Sequence, residues 1–328
     1  MPALDIFSND AFSLSSLTAA INNVPYKPGR LGAAGLFEEA GVTQPNVFVE
    51  SYEGVLSLVP VVPRNAPAAP LNKGNRKALS FRVPHVPTKD ALAADEVLGV
   101  RAFGSENELE GIQNVVNGRL LSMRNNLEYT LEAHRVACLK GEYIDASGAA
   151  ISLYTAFDVV QQVINFALNS DTTLVRSKCL DVLEAIEPAL GGLGFSGVRV
   201  FCGSTFWRSL IEHKAVKETY LNTQMAASLR GDARMEMEFG GLVFERYRGA
   251  GSVAIGDKEA YAVPIEVSGL FITRFAPANY IETVNTLGLP IYAKQEPMDM
   301  GKGIDLEAQS NPLNLCTRPR AIIKLTTP

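Results

Sequence analysis

No apolar run in the sequence reaches about 18 residues, so nothing in it reads as a membrane-spanning helix. Cysteine is scarce: Cys138, Cys179, Cys202 and Cys316 are the only four in 328 residues, and none forms a Cys-x-x-Cys pair. That is too few to staple a chain this long, so they read as reduced core thiols of a cytosolic product. The first ten residues carry Asp5 and Asp10 and lack a basic start followed by an apolar block, which argues against a secretory signal. The three histidines, His85, His134 and His213, are far apart and form no ligand pair, so a histidine-based metal site is not expected. There is no Gly-x-Ser-x-Gly elbow for a nucleophilic serine.

Acidic residues are missing from two stretches although the chain as a whole carries a net charge of −5. Between Glu53 and Asp90 there is none; that span holds Arg64, Lys73, Arg76, Lys77, Arg82 and Lys89, with prolines at 60, 63, 67, 70, 84 and 87. The tail after Glu307 is also acid-free and carries Arg318, Arg320 and Lys324. Overall acidity argues against a dedicated DNA binder. Basic segments in an acidic chain fit best against other copies of the same chain.

What is present is ordinary globular composition, 47% hydrophobic and 20% charged, enough for one large or two smaller cores. Residues 1–45 have short apolar clusters (14–21 and 31–37) interrupted by Pro25, Pro28 and Pro45, and read as an extended arm with one or two short helices. Asn46 to Val62 and Ala78 to Val86 read as two strands around a long basic loop, an outsized hairpin that needs a partner surface. Ser105 and Glu108 form a capping box. Apolar or small positions then recur at 109, 112, 116, 120, 123, 127, 131, 134 and 138, a helical period that predicts one continuous helix from Ser105 to Lys140, stopped by Gly141. Glu106, Glu108 and Glu110 at its start and Arg135 and Lys140 at its end suit the helix dipole.

From about residue 160 helices and strands alternate. Asp171 is expected to cap a helix buried through Val175, Cys179, Val182 and Ile186 and ended by Pro188 and Gly191–Gly192. Val198 to Cys202 reads as a strand, Ser204 as the cap of a helix carrying Trp207, and 237–246, 260–268 and 321–325 as strands. Gly192-Leu193-Gly194-Phe195-Ser196-Gly197 matches the dinucleotide fingerprint by letter, but a helix precedes it and a strand follows, the reverse of what a phosphate cradle needs. Gly251 to Lys258 resembles a phosphate loop, but Asp257 stands where the lysine should be and would repel phosphate. Asp299, Asp305 and Glu307, with Gly301 and Gly303 between, read as a solvated turn in preference to a metal cluster. No catalytic, cofactor-binding or metal site emerges.

Particular stretches carry a family resemblance through their order and spacing. They are Pro28-Gly29-Arg30-Leu31-Gly32 through Gly35-Leu36-Phe37, then Leu139-Lys140-Gly141, then His213-Lys214-Ala215-Val216-Lys217-Glu218, and finally Ile291-Tyr292-Ala293-Lys294 through Gln309-Ser310-Asn311-Pro312-Leu313. With these the chain resembles the lambda-like major capsid proteins of tailed bacteriophages, the capsid protein E family, over nearly its whole length.

The resemblance implies an α+β, Hong Kong 97-like fold: an N-terminal arm (1–45), an extended hairpin loop (46–90), a peripheral domain (91–159) with a spine helix (105–141), an axial α/β domain (160–295), and a return to the peripheral sheet (296–328). It implies hexamers and pentamers tiling an icosahedral shell around double-stranded DNA, built in the host cytoplasm. With barely 45 residues before the hairpin, a separate scaffold protein is implied, together with a portal at one vertex and, in this branch, a decoration protein. The intersubunit contact candidates are Arg64, Lys73, Arg76, Lys77, Arg82, Glu106, Glu108 and Glu110. The rival readings are an α/β enzyme binding a small molecule near Gly191–Gly203, and a DNA-binding accessory protein using the basic hairpin.

Overall fold

The computed structural model describes residues 13–23, 29–52, 76–97, 108–221 and 236–328. Among these, two hydrophobic cores are tied together by one helix. The larger core surrounds a six-stranded sheet in the order Gln162–Asn165, Ile323–Thr326, Glu259–Ile265, Gly197–Cys202, Leu242–Arg246, Met237–Phe239. Its central strand is near-continuously apolar because both faces are covered: Val198, Val200, Phe201 and Cys202 are all buried. The helix Val175–Leu190 buries Val175, Cys179, Val182 and Ile186 as its spacing predicts, and Gly191 ends it in the left-handed conformation (φ 61°) that an L side chain resists. Aromatic rings fill the centre, with Phe166 5.7 Å from Phe206 and 6.4 Å from Phe244.

The smaller core lies under an antiparallel sheet of Tyr292–Pro297, Gly303–Ser310 and Val86–Ala93. Ile304, Leu306 and Ala308 alternate inward from the middle strand, as period 2 requires, and meet Leu17 and Ile21 of the helix Leu14–Asn23. A third sheet joins Glu38–Gly41 in parallel to Phe271–Phe275, which pairs antiparallel with Pro312–Cys316.

The connecting helix runs unbroken over Glu108–Leu139, 32 residues, or about 48 Å at 1.5 Å per residue. Val116, Leu120, Met123 and Leu127 sit in the smaller core; Val136, Cys138 and Leu139 sit in the larger. Gly141 ends the helix with φ 84°, packed so closely on the Tyr154 ring that a Cβ would overlap it. Continuity from the sequence is thus observed from Glu108 onward; the capping residue Ser105 lies outside the described residues.

Several local expectations are corrected. Asp171 does not cap the helix at 175: Leu174 is the N-cap residue and makes no side-chain cap bond. Pro188 lies inside the last turn: the helix runs on to Leu190, and the Gly191 N–H caps it on the Pro188 carbonyl. Gly203, not Ser204, is the next N-cap, and the Ser204 hydroxyl donates to Asp257 at 2.7 Å. The hairpin ends sooner than expected: after Arg82 the chain breaks at Pro84, and Val86–Ala93 joins the sheet of the smaller core. Asp305 and Glu307 lie on a strand, where Asp305 pairs with Lys89 at 2.8 Å and Glu307 accepts from Tyr280 at 3.0 Å. At the C-terminus, Ile323–Thr326 does not return to the smaller sheet; it enters the six-stranded one, antiparallel to Glu259–Ile265 and parallel to Gln162–Asn165. The reason is burial, since Ile323 and Leu325 are fully enclosed there.

Candidate intersubunit surface and the anchor of the arm

The base of the hairpin pairs Asn46–Tyr52 with Arg76–Arg82, Asn46 opposite Arg82 and Tyr52 opposite Arg76. Alternation divides it into two faces. Val47, Val49 and Phe81 point onto the larger core, where Phe81 meets Tyr143 edge-on (5.0 Å) and stacks on Phe157 (5.9 Å). Phe48, 63% exposed, and Arg82 point outward. The partner surface that the sequence reading requires for the hairpin is, at its base, supplied by the chain itself, because Phe81 is buried by its own chain and Leu79 packs against the same core.

Of the candidate contact residues, Arg82 is exposed at the hairpin base. Arg76 and Lys77 lie on its return strand and Glu108 and Glu110 on the first turn of the spine helix, with their side chains outside the described part. Arg64, Lys73 and Glu106 lie outside the described residues, so these eight positions are not seen as one cluster.

The arm is anchored by a group of side chains that sequence reading did not single out. Arg124, Glu128, Glu132 and Arg135 follow each other at steps of 4, 4 and 3 along the spine helix, so they form one stripe. A charged stripe at that spacing ordinarily faces water, yet Arg124, Glu132 and Arg135 are buried and the Glu128 side chain is only 9% exposed. The covering residues come from the arm. Arg124 pairs with Glu128 at 2.6 Å and donates to the Ile21 carbonyl. Glu132 accepts the Leu31 N–H (2.8 Å) and the Tyr247 hydroxyl (2.8 Å) through one oxygen. Arg135, 1% exposed, pairs with Glu39 and stacks over Phe37 at 5.4 Å. It is thus an arm ligand, where the sequence suggested a base placed for the helix dipole.

The Gly29-Arg30-Leu31 stretch owes its composition to this anchor. A Cβ at Gly29 would overlap the Glu132 carboxylate. Arg30 pairs with Glu245 and with Glu236 (2.9 Å), and Arg199 contacts the same two acids at 3.1 and 2.9 Å. The hydrogen bond to Glu245 is the main cause that raises the Arg30 pKa above its ordinary value. Other residues of the resemblance are also structural: Asn311 donates to the Pro277 carbonyl (2.8 Å) and contacts His85 Nδ1 (2.8 Å), and the Ser310 hydroxyl donates to the Pro290 carbonyl (2.6 Å).

Chemistry that a catalyst would need is not assembled among the described residues. The Gly192–Gly197 turn lies between a helix and a following strand, as read from sequence. His134 is held neutral, burial lowering its pKa to about 4, and the buried His213 accepts the Ala215 N–H, which leaves its other ring nitrogen to donate to the Ser170 carbonyl. All four cysteine thiols are buried, and burial pushes Cys179 and Cys316 up to about 12 and Cys138 and Cys202 upward as well, so none is a poised nucleophile. No group of three or more His, Cys, Asp or Glu able to hold a metal ion occurs among the described residues.

Comparison with known proteins agrees with this picture. The chain is 26% identical over 350 residues to the major capsid protein of Salmonella phage Felix O1 (isolate Felix O1-VT1), covering 95% of each. It is 28% identical over 341 residues to that of Pseudomonas phage KPP10, covering 95% of this chain and 96% of the relative. Among solved structures, a prophage capsid protein from E. coli CFT073 superposes with a TM-score of 0.63 at 14% identity, over 96% of this chain and 99% of that one. The capsid of an empty GTA particle gives 0.57 at 9% identity, over 93% and 91%. The fold is thus the α+β, Hong Kong 97-like capsid fold. The family model described as "Phage major capsid protein E" matches residues 13–327, and the chain belongs to that family: it is a phage major capsid protein, a structural subunit of the virion and not an enzyme.

Proposed function

We propose that copies of this chain join as hexamers and pentamers and close an icosahedral shell around double-stranded DNA, with the hairpin of each copy lying on a neighbour. The observation that carries this is the two-faced hairpin base. One face is fixed to its own core through Phe81, while the other offers Phe48 and Arg82 outward. The acid-free residues 54–75, with Arg64 and Lys73, continue from that base. On this reading 1–45 is the arm, 46–90 the extended loop, 91–159 the peripheral domain, 160–295 the axial domain, and 296–328 the return, apart from Ile323–Thr326, which the six-stranded sheet takes. Glu106, Glu108 and Glu110 of the adjacent spine helix are the acidic counterpart of Arg76, Lys77 and Arg82. A separate scaffold and a portal at one vertex complete the particle, which is assembled in the host cytoplasm and contacts its DNA without sequence preference.

Individual exposed pairs add at most about 1 kcal/mol, so strength comes from many repeated contacts. Reversing Arg76, Lys77 and Arg82 to Glu together is expected to leave the subunit folded and to stop shell formation, seen by light scattering and negative-stain microscopy. Normal shells from that triple variant at physiological salt would remove the hairpin from its assigned role.

A further inference from the structure

We infer that the loop 280–290 is an apolar contact through which copies of this chain meet like to like around a rotation axis. The loop presents Ile281 (91% exposed), Val284 (65%), Leu287 (62%) and Leu289 (42%) to solvent within nine residues. Single exposed apolar residues are ordinary, but four in one short segment mark a surface that is covered in use.

The loop is built rigidly. Thr283 donates to the Ala278 carbonyl (2.7 Å), Thr286 to the Thr283 carbonyl (2.7 Å), and the Leu289 N–H to the Tyr292 hydroxyl (2.9 Å). The Gly288 N–H donates to Val42 at 2.9 Å, so close to Phe275 that a Cβ there would overlap its carbonyl. A braced loop loses little freedom when it is covered.

Charge selects the occupant. The one charged residue between 280 and 290 is Glu282. It is neutralised by Lys294 at 2.7 Å, which also lies 5.0 Å from the Tyr280 ring. Copies of a chain with net charge −5 repel each other in general. A neutral apolar loop is a place where identical surfaces converge without that cost, and identical surfaces meet only on a symmetry axis. Among the other exposed apolar residues, which include Phe48 and Met300, the group Val160, Val163 and Leu174 lies with the six-stranded sheet and its helix and is the competing counterpart.

This inference rests on the self-assembly reading, and its test separates the two. In I281C the introduced thiol is the reactive one, because the four native cysteines are buried. A short bismaleimide should give covalent dimers in assembled particles and none in dissociated subunits. Particles that assemble without forming dimers overturn the like-to-like contact alone, whether the thiol stays reactive or is shielded by a different surface. The double variant I281D/V284D should melt as the wild type does and lower assembly yield by at least tenfold. Normal shells from it overturn the inference, and failure of the wild type to assemble under any condition overturns the assembly reading and this inference together.

Discussion

Replacing Phe81 by Ala decides what the hairpin base rests on. If the base were covered only by a neighbour, an isolated subunit would hardly notice the change. In the structure Phe81 is 3% exposed and its ring contacts Tyr143 and Phe157 of its own chain. Removing a buried phenyl ring costs about 3–5 kcal/mol, from lost transfer energy plus the cavity left behind. The two aromatic contacts place this site towards the upper part of that span. Domains of 150–250 residues lose roughly 2–4 °C of Tm per kcal/mol, and a longer chain sits at the low end, so a fall of about 8–10 °C is expected. The assay is a thermal melt of dissociated subunits followed by circular dichroism, with Phe48→Ala as the exposed control from the opposite face. A Phe81→Ala subunit melting within about 1 °C of wild type would show that the intrachain anchor is wrong.

Two further predictions follow from the spine helix. His134 has a folded pKa of about 4 against an ordinary 6.5, so the unfolded chain binds the extra proton first and stability is full above pH 6.5 and falls as the pH drops towards 4. His134→Leu should flatten that decline, by at most about 2 kcal/mol at pH 5, in urea titrations at pH 7.5 and 5; an unchanged slope would refute it. Glu132→Ala strips the acceptor from the Leu31 N–H and the Tyr247 hydroxyl and should cost about 3 kcal/mol with faster proteolysis near residues 29–41, whereas Glu132→Gln, which keeps an acceptor, should cost less; equal melts for all three proteins would refute the anchor.

Regular periodicity made the helices legible. The apolar stripe at 116, 120, 123 and 127 and the buried face at 175, 179, 182 and 186 appear as the residue spacing says. Local punctuation was less reliable where long-range burial competed with it. Pro188 looked like a terminator, but a proline in the final turn leaves the preceding bonds intact. The C-terminal strand is expected from the sequence in the peripheral sheet, but what decides is which sheet encloses Ile323 and Leu325. The anchor of the arm was not legible at all. Arg30 and Glu245 are 215 positions apart, and nothing in a charged residue's type or spacing names a partner at that distance.

The buried polar stripe changes what the arm is. Read from sequence, residues 1–45 cannot make an independent core and form an extended arm with one or two short helices. The described arm residues instead supply Leu17 and Ile21 to the smaller core, Leu31 and Phe37 to the larger, and Glu38–Gly41 as a strand of the connecting sheet. Between those points they cover Glu132 and Arg135, charges that would be costly in the interior without hydrogen-bonded partners. The arm therefore joins both cores and contacts the spine helix along a stripe beside its apolar one. A helix held only by its apolar stripe can roll against its sheets, because hydrophobic contact is non-directional. One also held by Arg124, Glu128, Glu132 and Arg135 has a fixed rotation, since each of these bonds has a direction. Fixed rotation of a helix of about 48 Å sets the angle between the two cores. The arm's anchor thus constrains how the two cores are oriented on the helix within a single chain, before any neighbour is met.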